Sequence, residues 1–165
     1  MVKLVFKTIL LWIEYFLERK TMVATFEPSK DELKDILFAA EKIKQTYDNP
    51  THEFENEQIV YEIVDSEVYI YIAGSNDLTD WGENFATKQV KFRDDMYFSR
   101  GFLNAAYSIH KYLYNNNMLH RGKHYHIVGH SKGGAVAVIL GAILTSKHFK
   151  VFSVNTINLS YPGFI

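Results

Sequence analysis

Residues 129–133 bring a hydroxyl, two glycines and a change of secondary structure together. Gly129-His130-Ser131-Lys132-Gly133 has the pattern G-x-S-x-G. His124 to Val128 before it reads as a short strand, and Ala135 to Leu144 after it as an apolar helix. A sharp turn between a strand and a helix lifts a serine above the sheet, where its oxygen can attack a carbonyl. A side chain at Gly129 or Gly133 would collide with the neighbouring strand or helix, and Gly134 and Ala135 keep the opening of that helix small. The backbone N–H of Lys132 starts the helix and turns a partial positive charge toward a nascent oxyanion. The chemistry is nucleophilic acyl transfer, with Ser131 as nucleophile. The alternative is a tight strand–helix turn without chemistry.

A second segment, VYIYIAGSNDLTDWGENF at 68–85, ends a strand in Gly74-Ser75 and continues as a polar loop through Asp80 and Trp81. If that strand lies beside the one that leads to Ser131, Ser75 reaches the carboxyl edge of the sheet near the nucleophile. Its N–H and hydroxyl would then serve the oxyanion. A surface turn capped by Ser75 and Asn76 is the other reading. Asp80 suits the support of this loop better than a triad.

GHSKGGAVA, IAGSNDLTDWGENF and Arg100-Gly101-Phe102 occur in an order and spacing that resembles the fungal-type class 3 lipases of the α/β-hydrolase superfamily. The elbow there is usually GHSLGGALA, the oxyanion loop FRGT or FRGS followed by Asp-Trp, and the helix before the elbow strand opens with His-Gly-Phe. The resemblance covers about residues 30–160. It implies Ser131 as nucleophile, oxyanion donors at Ser75 and the amide of Lys132, and support from Gly74, Asp80 and Trp81. It also implies a lipid or small ester substrate and no metal or organic cofactor. Ala73, Arg100 and Lys132 stand where the family has Arg, His and Leu. Lys132 is expected to alter the polarity of the acyl pocket.

A serine hydrolase needs a base to take the serine proton and an acid to orient that base, in the order Ser, Asp or Glu, His in this superfamily. After Ser131 the sequence holds no Asp or Glu, and its one histidine is His148. That residue lies about 17 positions on, near the far end of the helix, about 25 Å away at 1.5 Å per residue. A proton transfer needs about 3 Å. His130 adjoins the nucleophile but points away in such a turn and reads as a packed, hydrogen-bonded residue. His124 and His126 read as structural residues of a buried strand, and His110 and His120 show no metal spacing. The triad acid and base are therefore not assigned. The resemblance places them later than NTINLSYPGFI, residues 155–165, so the 165 residues read as the front part of a longer domain. Two alternatives stand beside that reading: a partner chain completes the site, or the scaffold has lost hydrolysis. A non-catalytic lipid- or partner-binding protein of the same fold is the competing function.

These groups need a sheet to hold them. Ser29 with Glu32 reads as a capping box, followed by Leu33, Ile36, Leu37, Ala40 and Ile43 at helical spacing up to Asp48-Asn49-Pro50. Ile59–Val64 and Val68–Ile72 form a hairpin, with Val68, Ile70 and Ile72 on one face and Tyr69 and Tyr71 on the other. Phe102–Tyr114 reads as a helix closed by Asn115-Asn116-Asn117, and Lys150–Ile157 as a last strand. Strand, helix and strand in succession imply parallel pairing. The class is α/β, an α/β-hydrolase-like mixed, mainly parallel sheet flanked by helices and incomplete at its C-terminal side. One domain spans 1–165; the sequence does not say whether there is a lid, and residues 76–95 are the candidate region for one.

Composition agrees. Apolar residues are 47% and charged residues 22%, an ordinary globular balance. Cysteine is absent, which excludes a disulfide scaffold and a thiol nucleophile. Residues 1–95 hold 11 Lys/Arg and all 19 Asp/Glu, a net of −8, and residues 96–165 hold 7 Lys/Arg and no acid, a net of +7. The cations form no stripe, so nucleic acid is not the expected partner; the halves are expected to neutralise each other. Residues 2–17 are apolar but interrupted by Lys7 and Glu14, which argues against a membrane span. An N-terminal helix over 1–25, packed on the domain or resting on a membrane surface, is expected. A secretory signal meets only a weak cleavage match at Met22-Val23-Ala24.

Overall fold

The structure is a computed structural model that describes residues 29–74, 88–93, 96–145 and 153–158, with Glu32 and 153–158 described through their backbone alone. Helix α1 (Lys30–Asp48) precedes strands β1 (His52–Phe54), β2 (Glu57–Val64) and β3 (Glu67–Ile72). Strands β4 (Gln89–Arg93) and β5 (Met96–Ser99) lead into helix α2 (Arg100–Asn115). Strand β6 (His124–Gly129), helix α3 (Lys132–Leu144) and strand β7 (Ser153–Asn158) follow. The expected N-terminal helix over 1–25 lies outside the described residues.

The main sheet has the order β1-β2-β3-β6-β7. Strands β1, β2 and β3 pair antiparallel, and β3, β6 and β7 pair parallel. The expected mixed sheet is present, and its parallel half carries the turn at Ser131. Ile72 stands opposite Gly129, and Gly129 opposite Asn158, so β3, β6 and β7 end at one edge. Ile59 pairs with Ile72, which brings the start of β2 to the same edge.

Strand β3 is covered on both faces, which is why it tolerates an almost unbroken run of large residues. Val68, Ile70 and Ile72 join Ile59 and Ile127 against Leu103, Ile109 and Leu113 of α2 and Val136 and Leu140 of α3. On the opposite face Tyr71 packs with Val60 and Val128 against Ala39 and Ile43 of α1. After Lys132, helix α3 is apolar on every side, and 11 of its 13 residues are buried, as suits a helix wedged between a sheet and a second helix. Helix α2 ends where the asparagines predict. Asn117 takes φ 55°, its N–H reaches the Tyr114 carbonyl, and Met118 N–H reaches the Leu113 carbonyl, a Schellman closure.

Three details depart from expectation. Leu33 and Leu37 are 38% and 45% exposed, because only the C-terminal part of α1, from Ala39 onward, lies buried against the sheet. His124 is exposed and His126 half-buried, because α1 covers Val128 on that face but not the start of β6. His126 is held by Glu67 at 2.6 Å and stacks on Tyr69. Strand β1 and the separate β4-β5 ribbon were not anticipated. The ribbon occupies part of the candidate lid segment, and residues 76–87 and 94–95 of that segment lie outside the described residues.

Candidate active site

The turn at Ser131 is built by backbone contacts that only glycine permits. A Cβ on Gly129 would fall 2.0 Å from the Gly133 carbonyl oxygen, and one on Gly133 would fall 2.4 Å from that of Ile72. No real Cβ approaches backbone so closely, so strand, turn and helix meet without intervening side chains. Gly133 N–H donates to the His130 carbonyl at 2.9 Å and Gly134 N–H to the Ser131 carbonyl at 2.9 Å, which closes the first turn of α3.

Ser131 itself takes φ 56° and ψ −124°. That is the first-corner geometry of a type II′ turn, which glycine adopts freely and serine only under strain. It occupies the N-cap position, yet its side chain makes no capping bond to its own helix. The residue is half-buried rather than entombed. The end of β3 lies against it, since a Cβ on Gly74 would come within 3.0 Å of Ser131 Cβ.

Lys132 places its charge inside the fold. Its side chain turns into the interior, and Nζ meets Glu57 Oε1 at 2.8 Å, with side-chain exposures of 6% and 7%. The ammonium therefore answers a carboxylate at the start of β2. Burial raises the Glu57 pKa, and the charge and hydrogen bond of Lys132 oppose that rise. Sequence reasoning missed Glu57. The signal for it was indirect: a lysine inside an apolar turn requires a carboxylate from somewhere in the fold.

Sequence reasoning also missed Tyr47. From the last turn of α1 its hydroxyl accepts the Gly74 N–H at 2.6 Å and lies 2.9 Å from His130 Nδ1. His130 is thus a packed residue of the turn, and burial holds its pKa below the usual histidine range. Ser75, Asp80, Trp81 and His148 lie outside the described residues. The structure brings Gly74, Gly129, His130, Ser131, Lys132, Gly133 and Gly134 to one edge. Among the described residues no group of three His, Asp or Glu side chains gathers as a metal ion would require. None of the described helices is long and apolar enough to cross a membrane.

A turn of this kind can present a serine oxygen and a helix-initial amide to one carbonyl group. The sequence profile of the lipase (class 3) family matches residues 69–162, which contain both the strand end at Gly74 and the turn at Ser131. No curated protein matches in sequence. Among solved structures the chain is similar to Rhizomucor miehei triacylglyceride lipase, at 14% identity and a TM-score of 0.61, over 78% of this chain and 62% of that one. It is also similar to a triacylglycerol lipase whose catalytic centre is described as a serine protease triad, at 14% identity and a TM-score of 0.60, over 75% and 59% of the two chains. A Rhizomucor miehei lipase–propeptide complex matches at 12% identity and a TM-score of 0.56, over 79% and 52%. At such identities the likeness is one of fold, which is α/β-hydrolase-like. The chain spans about three-fifths of the length of the first two lipases.

Proposed function

The chain belongs to the class 3 lipase family, and on that premise we propose that it is the nucleophile-bearing part of a carboxylic ester hydrolase that acts on lipid esters through Ser131. The observation that carries this reading is the strained φ of Ser131 on a strand-to-helix turn, half-buried and pressed by the end of β3. Folds keep such strain where a group must be presented in one place. The Ser131 oxygen attacks the ester carbonyl, and the carbonyl oxygen becomes an oxyanion. The Lys132 N–H and Ser75 are the proposed donors to it. Collapse of the tetrahedral intermediate releases the alcohol and leaves the acyl group on Ser131, which water then removes. The proton of Ser131 goes to a base oriented by an acid; neither is assigned among the described residues, and a completing segment or partner chain is one proposed source. Acylglycerols or phospholipids are the proposed substrates, with a membrane-surface contact through residues 2–17.

A fluorophosphonate probe tests the reading. Covalent labelling of the intact chain that Ser131→Ala abolishes supports an activated nucleophile. A folded chain that the probe leaves unlabelled sinks the hydrolase and favours a non-catalytic lipid- or partner-binding protein.

A further inference from the structure

The phenol of Tyr47 stands where three segments distant in sequence meet. It comes from the end of α1, accepts the N–H of Gly74 at the end of β3, and contacts the ring of His130 in the turn before Ser131. The two rings meet edge to face, with centroids 6.1 Å apart. A phenol oxygen has one proton to give. That oxygen accepts from Gly74, and its own proton has His130 Nδ1, at 2.9 Å, as the partner it would satisfy by donating. In that arrangement the imidazole is neutral and carries its hydrogen on Nε2. Burial favours the neutral form of both groups, since it lowers the imidazole pKa and raises the phenol pKa.

The fit around Gly74 is close. A Cβ there would fall 2.7 Å from Tyr47 Oη, 2.9 Å from the His130 carbonyl oxygen and 3.0 Å from Ser131 Cβ. The last described residue of this segment is thus packed against the backbone that carries the serine, and the Tyr47 hydroxyl bridges the two sides. We propose that Tyr47 is a positioning residue for Ser131: its hydroxyl clamps the end of β3 to the turn through Gly74 N–H and His130 Nδ1, and so fixes the seat of the nucleophile. The catalytic consequence rests on the hydrolase reading, whereas the clamp stands on its own geometry.

The test uses the full chain, labelled with 15N at its histidine rings and glycine amides. In the wild type, long-range 1H–15N spectra are expected to show His130 with its proton on Nε2 and Nδ1 as acceptor. In Tyr47→Phe that single-tautomer signature is lost and the Gly74 amide exchanges about tenfold faster with solvent. Labelling of Ser131 by an alkyl fluorophosphonate slows about tenfold while the circular dichroism spectrum is kept. His130 protonated at Nδ1 in the wild type overturns the proposal. So does a Tyr47→Phe protein that labels as fast as the wild type, or whose Gly74 exchange is unchanged. A wild type that is not labelled at all overturns the hydrolase reading, and the tautomer and exchange then decide the clamp. If Tyr47→Phe fails to fold, the wild-type tautomer decides it.

Discussion

At the level of single residues, the site is a matter of what each backbone position permits. Ser131 holds a conformation that costs an L-residue on the order of 1–3 kcal/mol. Ser131→Ala removes the hydroxyl and keeps that strain, whereas Ser131→Gly removes both. Even after the larger unfolded-state freedom of glycine, the Gly variant is expected to exceed the Ala variant in stability by about 1 kcal/mol in urea denaturation. Equal stabilities would show that the turn is unstrained. The glycines at 129 and 133 were legible in the sequence because their role is local: the pattern itself states that strand, turn and helix touch. Tyr47 and Glu57 were not legible. Their partners lie 27 and 75 residues away, and no spacing along the chain announces such meetings.

At the level of elements, the first turn of α3 is anchored to β2 by the Lys132–Glu57 pair. Removing one member of a buried pair leaves the other as an unanswered charge, at a cost of about 3–5 kcal/mol. Lys132→Met is therefore expected to lower the urea midpoint sharply, although it preserves the backbone amide. The double variant Glu57→Leu/Lys132→Met is expected to recover most of that loss, since two apolar side chains can share the space. Losses that add instead of cancelling would mean that the two side chains act independently. Helices α1, α2 and α3 and the β2-β3 hairpin could be read from periodicity, because long runs average out local ambiguity. Strand β1 has three residues and β4 and β5 have five and four, too few for a pattern to emerge from composition. The half-exposed Leu33 and Leu37 show the converse limit: periodicity says which face is apolar, not how far the sheet extends beneath it.

At the level of the whole molecule, the two oppositely charged halves of the chain meet, as in Lys132 with Glu57. Burial also lowers the pKa of two histidines, His130 and His110, from the ordinary 6.5. As pH falls through 6.5 the unfolded chain takes up protons that the folded chain refuses, so stability falls with pH from there down to the lowered folded values. Above 6.5 that contribution is fully present. Glu57, raised above 4.5, acts in the opposite sense as pH falls through its own raised value. The unfolding free energy from urea titration is expected to be lower at pH 5.5 than at pH 7.5, by at most about 1.4 kcal/mol per histidine per pH unit. His130→Gln is expected to flatten part of that slope, and an unchanged slope would show that the ring is not buried in its neutral form.

The pair that joins the turn to β2 also bears on how this protein can change through descent. A lineage that alters Lys132 first must pass through a chain with a stranded carboxylate, and one that alters Glu57 first through a chain whose buried ammonium has lost that carboxylate. Neither intermediate is easily inherited by a marginally stable molecule. Codons 57 and 132 should therefore travel through ancestry as a linked set, replaced together or not at all.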